Sequence, residues 1–120
     1  MKYLSFIPLE IEDSSEATIE SAAIDLSQIL KVSIQAVVGA GTITGSIQLQ
    51  VSNDIIENGY LMKEEPVNWS NLGSSLALSA QNTNYLIAQQ DVCYRALRVV
   101  FTGNPLNDAP VTIQLMALAI

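Results

Sequence analysis

Strict alternation of apolar and polar residues marks the segment from Gly45 to Asp54. Ile47, Leu49 and Val51 share one phase, whereas glutamine and serine occupy the other. Because successive side chains of a strand point to opposite faces, this period of two predicts a strand with one buried face. The Asn-Asp pair that ends the segment is typical of a turn.

Shorter runs of the same kind recur along the whole chain. Glycine, asparagine and proline separate most of them, notably at 39–41, 73, 82–84 and 103–105. About eight or nine short strands between such turns predict an all-β fold, an antiparallel β-sandwich of the jelly-roll type. The candidate strands are 3–9, 22–26, 32–38, 45–52, 69–72, 76–80, 85–88, 94–102 and 111–118.

One segment also fits a helix. Apolar residues between 15 and 30 recur at spacings of three and four, and Ser14 or Ser15 would cap a helix that begins there. One short helix near residues 15–30 is therefore kept as an alternative. The residues with helical spacing are Ile19, Ala23, Leu26 and Leu30.

The 120 residues are enough for a single β-sandwich domain spanning 1–120, with residues 1–20 allowed as an extended N-terminal segment. Trp69 is expected to pack over the end of a sheet as a core residue, and Cys93 to be a small buried hydrophobe. The expected core is Ile34, Val38, Ile47, Leu49, Val51, Leu76, Leu78, Leu97, Val99, Phe101, Ile113 and Leu115.

Composition points to association with other proteins. Hydrophobic residues make up 49% of the chain but charged residues only 14%, below the roughly 25% of an average protein. Serine, threonine, asparagine and glutamine must therefore cover the outer faces of the strands. Such a surface favours contacts with copies of the chain or with partners.

The charge balance argues against two classes of binding partner. The net charge is -7, and six of the twelve acidic residues lie between Glu10 and Asp25, where no lysine or arginine occurs. This balance argues against binding to nucleic acid or to anionic membranes, which need clustered bases. The acidic segment is expected to be a solvated face, with docking to a basic partner as the alternative. Neither a membrane span nor a secretion signal is recognised.

Catalytic machinery is not recognisable. The chain has no histidine and one cysteine, which excludes serine or cysteine nucleophiles paired with histidine. We therefore predict that the protein is not an enzyme and has no catalytic residue, cofactor site or metal site. Asn53 and Asp54 are read as a turn in preference to a calcium site.

The C-terminal segment is a candidate contact region. Residues 116–120 are apolar in both phases, which fits a strand buried on both sides or one packed against a neighbouring chain. Arg98 lies in the phase opposite Leu97 and Val99, which predicts an outer-face ion pair or a subunit contact. The candidate contacts with another subunit or a partner protein are Met116, Leu118, Ile120 and Arg98.

Six sequence blocks follow one another between about residue 21 and the end of the chain. They are Ala23-Ile-Asp-Leu, Ser33-Ile-Gln, Gly45-Ser-Ile-Gln-Leu-Gln-Val-Ser-Asn-Asp, Pro66-Val-Asn-Trp, Leu72-Gly-Ser-Ser and Tyr94-Arg-Ala-Leu-Arg-Val-Val-Phe-Thr. In this order the blocks resemble a widespread group of small bacteriophage virion proteins. The same skeleton is similar to discoidin-like, galactose-binding-like jelly rolls, in which a strand ending in Ser-Asn-Asp also precedes a loop and a tryptophan. The long 55–65 loop departs from the pattern.

The resemblance implies a sandwich that works by binding, as a capsid decoration or cement protein that bridges capsid subunits, or as part of a tail. Its expected location is the virion. Its expected partners are copies of itself, as a homotrimer, and phage capsid or tail proteins. The alternative is a carbohydrate-binding module of a tail or fibre, which needs an exposed aromatic platform such as Trp69.

Overall fold

The computed structural model describes residues 2–54 and 65–120, and in these residues the chain is all-β. The fold predicted from the alternation, an antiparallel sandwich of eight or nine strands, is confirmed. The nine strands are β1 (Lys2–Ile11), β2 (Thr18–Glu20), β3 (Ile24–Asp25), β4 (Ile29–Val38), β5 (Gly45–Ser52), β6 (Ser70–Leu78), β7 (Asn84–Asp91), β8 (Ala96–Thr102) and β9 (Val111–Ala119).

The strands form two antiparallel sheets with a jelly-roll order. Sheet A has the order β1-β9-β4-β7, and sheet B has the order β2-β8-β5-β6, with β3 also paired to β8. Because β2 and β3 both lie along β8, they act as two pieces of one interrupted strand. β1 then pairs with β9, β2 and β3 pair with β8, β4 pairs with β7, and β5 pairs with β6. Along the sequence, each of these pairs lies between the two strands of the pair before it. A long hairpin rolled into two layers gives this pairing.

No helix forms near residues 15–30, so the helical alternative is wrong. Residues 18–20 and 24–25 are strands instead, with Ile19 opposite Phe101 and Ile24 opposite Leu97. The edge of β8 offers unpaired backbone groups to this segment. Pairing with them satisfies the backbone and buries apolar side chains together, which overrides the weak local preference for a helix.

The core lies between the sheets and consists of the inward phase of each strand. Every residue of the expected core is buried except Leu76, which is half-buried and packs against it. Residues from strand ends and loops also join the core, and the alternation does not mark them. These include Ile11, Leu26, Ile43, Val92, Ala109 and Val111.

Strand β6 is one element where the sequence predicted two strands separated by a turn at Gly73. The register passes from Ile47 opposite Leu76 to Leu49 opposite Leu72, so β6 carries extra residues at this point. Gly73 adopts a φ of 70° there, a conformation that glycine reaches without a steric penalty. Gly73 therefore marks a bulge within a continuous strand.

Buried polar side chains fix the loops at one end of the sandwich. The Asn107 side-chain amide donates to the carbonyl oxygens of Thr44 at 2.7 Å and Ser14 at 3.1 Å, and its oxygen accepts the Thr44 N–H at 2.8 Å. The Ser14 hydroxyl donates to the Ala109 carbonyl at 2.6 Å. These bonds connect the β1–β2, β4–β5 and β8–β9 loops at the end where the exposed acids Asp13 and Glu16 lie.

The prediction that Cys93 is buried is wrong. Cys93 is exposed in the short connection between β7 and β8, where the preceding Val92 takes the buried position. The sequence reasoning placed Cys93 by composition alone. One apolar side chain is enough to anchor this connection, and the next residue points to solvent.

Candidate interaction surface

The outer face of sheet A is a broad surface with little charge. Strand alternation points one phase of β1, β4, β7 and β9 away from the core, and the register sets these side chains in rows. One row runs Ser5–Met116–Ser33, and the next runs Gln114–Gln35–Leu86. The outer face thus combines hydroxyl, amide and apolar side chains in its centre.

Charges lie only near the ends of this face. Lys31 pairs with Asp91 across β4 and β7 at 3.7 Å, and Glu10 lies opposite Thr112 towards the other end. Between them the face has a shallow depression of about 450 Å³. The residues that line the depression are Ser5, Phe6, Ile7, Ser33, Gln35, Leu86, Gln114, Leu115 and Met116.

Exposed apolar side chains concentrate on sheet A. Of the ten large hydrophobic residues that are exposed in the described part of the chain, seven lie in strands of sheet A and an eighth, Ile120, directly follows β9. Single exposed apolar residues are ordinary, but grouped ones mark interaction sites. The eight are Tyr3, Leu4, Phe6, Ile7, Leu30, Leu86, Met116 and Ile120.

The structure brings together three of the four predicted contact residues. Met116 is 49% exposed and Ile120 68% exposed, while Leu118 is half-buried on the same outer phase of β9. The alternating residues Ala117 and Ala119 are buried. The C-terminal strand is therefore buried on its inner side only, and a contact role for its outer side stays a prediction.

Arg98, the fourth predicted contact residue, lies on the outer face of sheet B. Its guanidinium donates to Glu20 at 2.9 Å and to the Gln50 side chain at 2.8 Å. Gln50 in turn donates to the Asn71 side chain at 3.1 Å. The Arg98 side chain thus forms the outer-face ion pair that its phase indicates, within a polar network.

Trp69 is not a core residue, contrary to the sequence prediction. The side chain is half-buried, its Nε1–H donates to the Pro66 carbonyl at 2.9 Å, and the Arg98 guanidinium lies 4.5 Å from the ring centroid. This cation–π contact covers one face of the indole. A sugar can therefore stack on that face only if Arg98 moves away.

Replacing Arg98 tests this network. Arg98→Ala removes the ion pair, the hydrogen bond to Gln50 and the contact with Trp69, and should lower the free energy of unfolding by about 1–2 kcal/mol. It should also shift the Trp69 emission to longer wavelength, because the ring gains contact with water. Arg98→Lys keeps the positive charge but lacks the planar guanidinium group. Its free energy of unfolding and its emission maximum should therefore lie between those of wild type and Arg98→Ala. An unchanged emission maximum in Arg98→Ala would contradict the assigned contact.

Asp54 connects the end of β5 to the segment that precedes β6 by hydrogen bonds. Its carboxylate accepts the backbone N–H groups of Val67 at 2.7 Å and Asn68 at 2.9 Å, and the Asn68 side-chain amide at 3.0 Å. The Asn53 side chain accepts the Arg95 N–H at 3.1 Å. Within residues 2–54 and 65–120, no group of three acidic, cysteine or histidine residues is arranged to hold a metal.

Hydrogen bonds to Asp54 predict a specific pH dependence. The backbone N–H of Asn68, then its side chain and the backbone of Val67, lower the pKa of Asp54 from its ordinary value of 3.8. A carboxyl group with a lowered pKa in the folded state stabilises the fold above its unfolded pKa, and this contribution is lost as the pH falls through the folded pKa. Asp54→Asn should therefore be less stable than wild type at neutral pH, and the difference should shrink below pH 3.8.

Urea unfolding at a series of pH values measures this difference. Asn68→Ala removes one of the three donors and serves as the comparison, with a smaller effect in the same direction. A stability difference between wild type and Asp54→Asn that stays constant from neutral pH to strong acid would contradict the assignment.

Several residues of the outer face of sheet A escaped the sequence reasoning. Leu86 lies between Tyr85 and Ile87 in a short apolar run, and such a run does not indicate which of its two sides faces the core. Tyr3 and Ile7 lie in a strand that the sequence predicts, but the sequence does not indicate that the outer side of this strand is exposed to solvent. The 55–65 loop, which departs from the pattern of the proteins that the sequence resembles, falls almost entirely outside the described residues.

Comparison with known proteins shows similarity at the level of structure. Neither a protein-family model nor a curated protein matches the sequence. The crystal structure of the SPBc2 prophage-derived protein YomS is similar, with a TM-score of 0.58 and 13% sequence identity over 97% of this chain and 92% of that chain. At this identity the similarity establishes the shared fold. In the described part of this chain, no helix is long and apolar enough to cross a membrane.

Proposed function

We propose that the protein is a non-enzymatic structural protein of a bacteriophage virion, a capsid decoration or cement protein that bridges capsid subunits as a homotrimer. The observation that carries the proposal is the outer face of sheet A, where exposed apolar, amide and hydroxyl side chains replace charges. Four of the ten exposed large hydrophobic residues of the described chain, Tyr3, Ile7, Leu86 and Met116, lie in the outward phase of its strands.

The chemistry of this face matches that of protein interfaces. Interface cores are depleted in charged residues and enriched in methionine and aromatic residues, with amides and hydroxyls to complete hydrogen bonds. Met116, Tyr3, Gln35 and Gln114 supply these groups on one surface. The outer face of sheet B differs, because Arg98 already satisfies its polar groups within the chain.

Two observations support a phage protein, and the second of them also supports the virion as its location. The fold is shared with a prophage-derived protein over nearly the full length of both chains. Independently, ordered sequence blocks resemble small virion proteins, and these blocks fall on β3 to β6 and β8 of the sandwich. Both observations point to a phage protein.

The proposed mechanism is mechanical. Burial of the apolar side chains of sheet A against neighbouring subunits removes them from water and stabilises the contact without any chemical step. Antiparallel strands, paired on both sides except at the sheet edges, give a platform that resists deformation. The exposed acidic residues of the β1–β2 loop remain in solvent or face a basic part of the capsid shell.

Particle association tests the proposal directly. Phage particles from the source culture are banded in a density gradient, and each fraction is probed with antibodies against the recombinant chain. We expect the protein to band with intact particles and to stay with them after a salt wash, because the contact is apolar. Protein found only in the soluble fractions, in a lysate rich in particles, would contradict the proposal.

A further inference from the structure

The outer face of sheet A is narrow. Its four strands lie about 4.8 Å apart, and the face is therefore about 19 Å wide. Strands of eight to ten residues make it at least about 26 Å long. The depression at its centre holds about 450 Å³ and is lined by residues of all four strands. These dimensions limit the shape of anything that covers the face.

Three such faces fit around a common axis that runs along the strands. A triangle with sides of about 19 Å has its centre about 5.5 Å from each side, half of the roughly 10 Å between two packed sheets. One layer of side chains from each sheet therefore fills the centre. Counted as flat area, three faces remove roughly 1,500 Å² from water, within the roughly 1,200–2,000 Å² of specific interfaces, whereas two faces remove roughly 1,000 Å². The size of the face therefore favours three copies over two.

We propose that the outer faces of sheet A of three copies pack together around a three-fold axis, with the strands along the axis. The depression of each copy is then covered by the same face of two further copies. This inference deepens the proposed function and rests on it for the number of copies. A rotation about an axis along the strands preserves the level of every residue, so each row of side chains meets the same row of its neighbours.

Charge supports this orientation. Each copy has a net charge of -7, so copies must meet away from their unpaired acids. On the outer face of sheet A, Lys31 is already paired with Asp91, and Glu10 lies in the edge strand β1. The three Glu10 residues lie in separate corners of the triangle, about 16 Å apart, which exceeds the screening length of about 8–10 Å at physiological salt. The rows nearest the axis are uncharged.

Apolar residues of the edge strands meet at the corners. β1 and β7 form the two edges of sheet A, so each corner joins β1 of one copy to β7 of the next. Ile7 lies beside Gln114 at the bulge of β1, in the row that continues through Gln35 to Leu86. Ile7 is 54% exposed and Leu86 66% exposed. At every corner, Leu86 of one copy therefore packs against Ile7 of its neighbour, at the same level.

Glutamine amides occupy the centre. Gln35 and Gln114 lie opposite each other on the two central strands, β4 and β9, and both line the depression. On sheet B, in contrast, the Gln48 amide donates to the carbonyl oxygens of Leu49 at 2.8 Å and Leu72 at 3.3 Å. Because a glutamine amide both donates and accepts, the central glutamines of three copies can hydrogen-bond around the axis. These bonds fix the level at which the copies meet.

Cross-linking near the axis tests this arrangement. Ser33→Cys places a thiol on the central strand β4, in a chain whose exposed Cys93 is replaced by serine. A three-armed maleimide should then join three chains into one product. Oxidation alone should leave about one-third of the chains unlinked, because three thiols around one axis form only one disulfide. Ser75→Cys in the same background is the control, since Ser75 is exposed on the outer face of sheet B, and should remain as single chains.

Glutamine variants give a second measurement. Gln114→Ala removes three amides from each trimer, and by light scattering it should lower the association constant at least tenfold. Gln48→Ala removes an amide from sheet B and should assemble like wild type. Far-ultraviolet circular dichroism verifies that both variants fold.

The outcomes separate this inference from the proposed function. Complete disulfide linkage of Ser33→Cys, with the three-armed reagent joining only two chains, would establish a two-fold pair and overturn the inference. Chains that stay unlinked at Ser33→Cys, or equal association of Gln114→Ala and Gln48→Ala, would overturn it as well. Banding of the wild type with phage particles is measured independently, so its failure would overturn the proposed function and not this contact.

Discussion

Phe101→Ala should lower the free energy of unfolding by about 3–5 kcal/mol. Phe101 is fully buried at the centre of sheet B, opposite Ile47 on one side and Ile19 on the other. Removing the ring loses its burial and leaves a cavity that the flanking strands cannot close, since each is fixed by backbone pairing. A loss of this size is a large share of the roughly 5–15 kcal/mol of a typical domain.

Urea unfolding followed by Trp69 fluorescence measures this effect, with a lower midpoint and an unchanged slope as the expected result. Leu106→Ala is the matched control, because Leu106 is 80% exposed, and should stay within about 0.5 kcal/mol of wild type. Phe101→Leu should cost about 1 kcal/mol and keeps the test usable if the alanine variant does not fold. A loss below 1 kcal/mol in Phe101→Ala would contradict the assigned core.

Asn107→Ala should lower the free energy of unfolding by about 3 kcal/mol. The Asn107 side chain is 5% exposed and makes three hydrogen bonds to the backbone of Ser14 and Thr44. Its removal leaves the Thr44 N–H and two carbonyl groups without these partners, at a site where Ser14 is buried and Thr44 is exposed. Each such group costs about 1–3 kcal/mol, partly relieved where water enters.

Asn104→Ala is the comparison for Asn107→Ala. Asn104 also accepts a backbone N–H, from Leu106 at 3.0 Å, but in an exposed turn where water replaces the bond. Asn104→Ala should lower the free energy of unfolding by about 1 kcal/mol or less. Hydrogen exchange adds a local measurement, because the Thr44 amide should exchange faster only in Asn107→Ala. Equal losses for the two variants would contradict the bridging role of Asn107.

The fold was predictable from the sequence where alternation runs long. The inward phases of β4, β5, β8 and β9 follow from period two, and the turns follow from glycine, asparagine and proline. The two pieces β2 and β3 were not predictable as such, because two or three residues carry no period. Gly73 was misread because one glycine marks a turn and a bulge equally well, and only the partner strand decides between them.

The candidate surface was only partly predictable. The apolar C-terminal phase pointed to Met116, Leu118 and Ile120, but not to the neighbours that make a face with them. Leu86 and Tyr3 reach the same face only through the pairing of distant strands, which the local sequence does not encode. Trp69 was misplaced because its contact is with Arg98, on another strand.

The native mass of the purified chain tests the central claim, self-association through sheet A, most directly. Light scattering over a hundredfold range of concentration should give three times the chain mass of 12.9 kDa for the wild type, and the mass of one chain for Leu86→Arg. A wild-type mass of 12.9 kDa at every concentration would contradict the account.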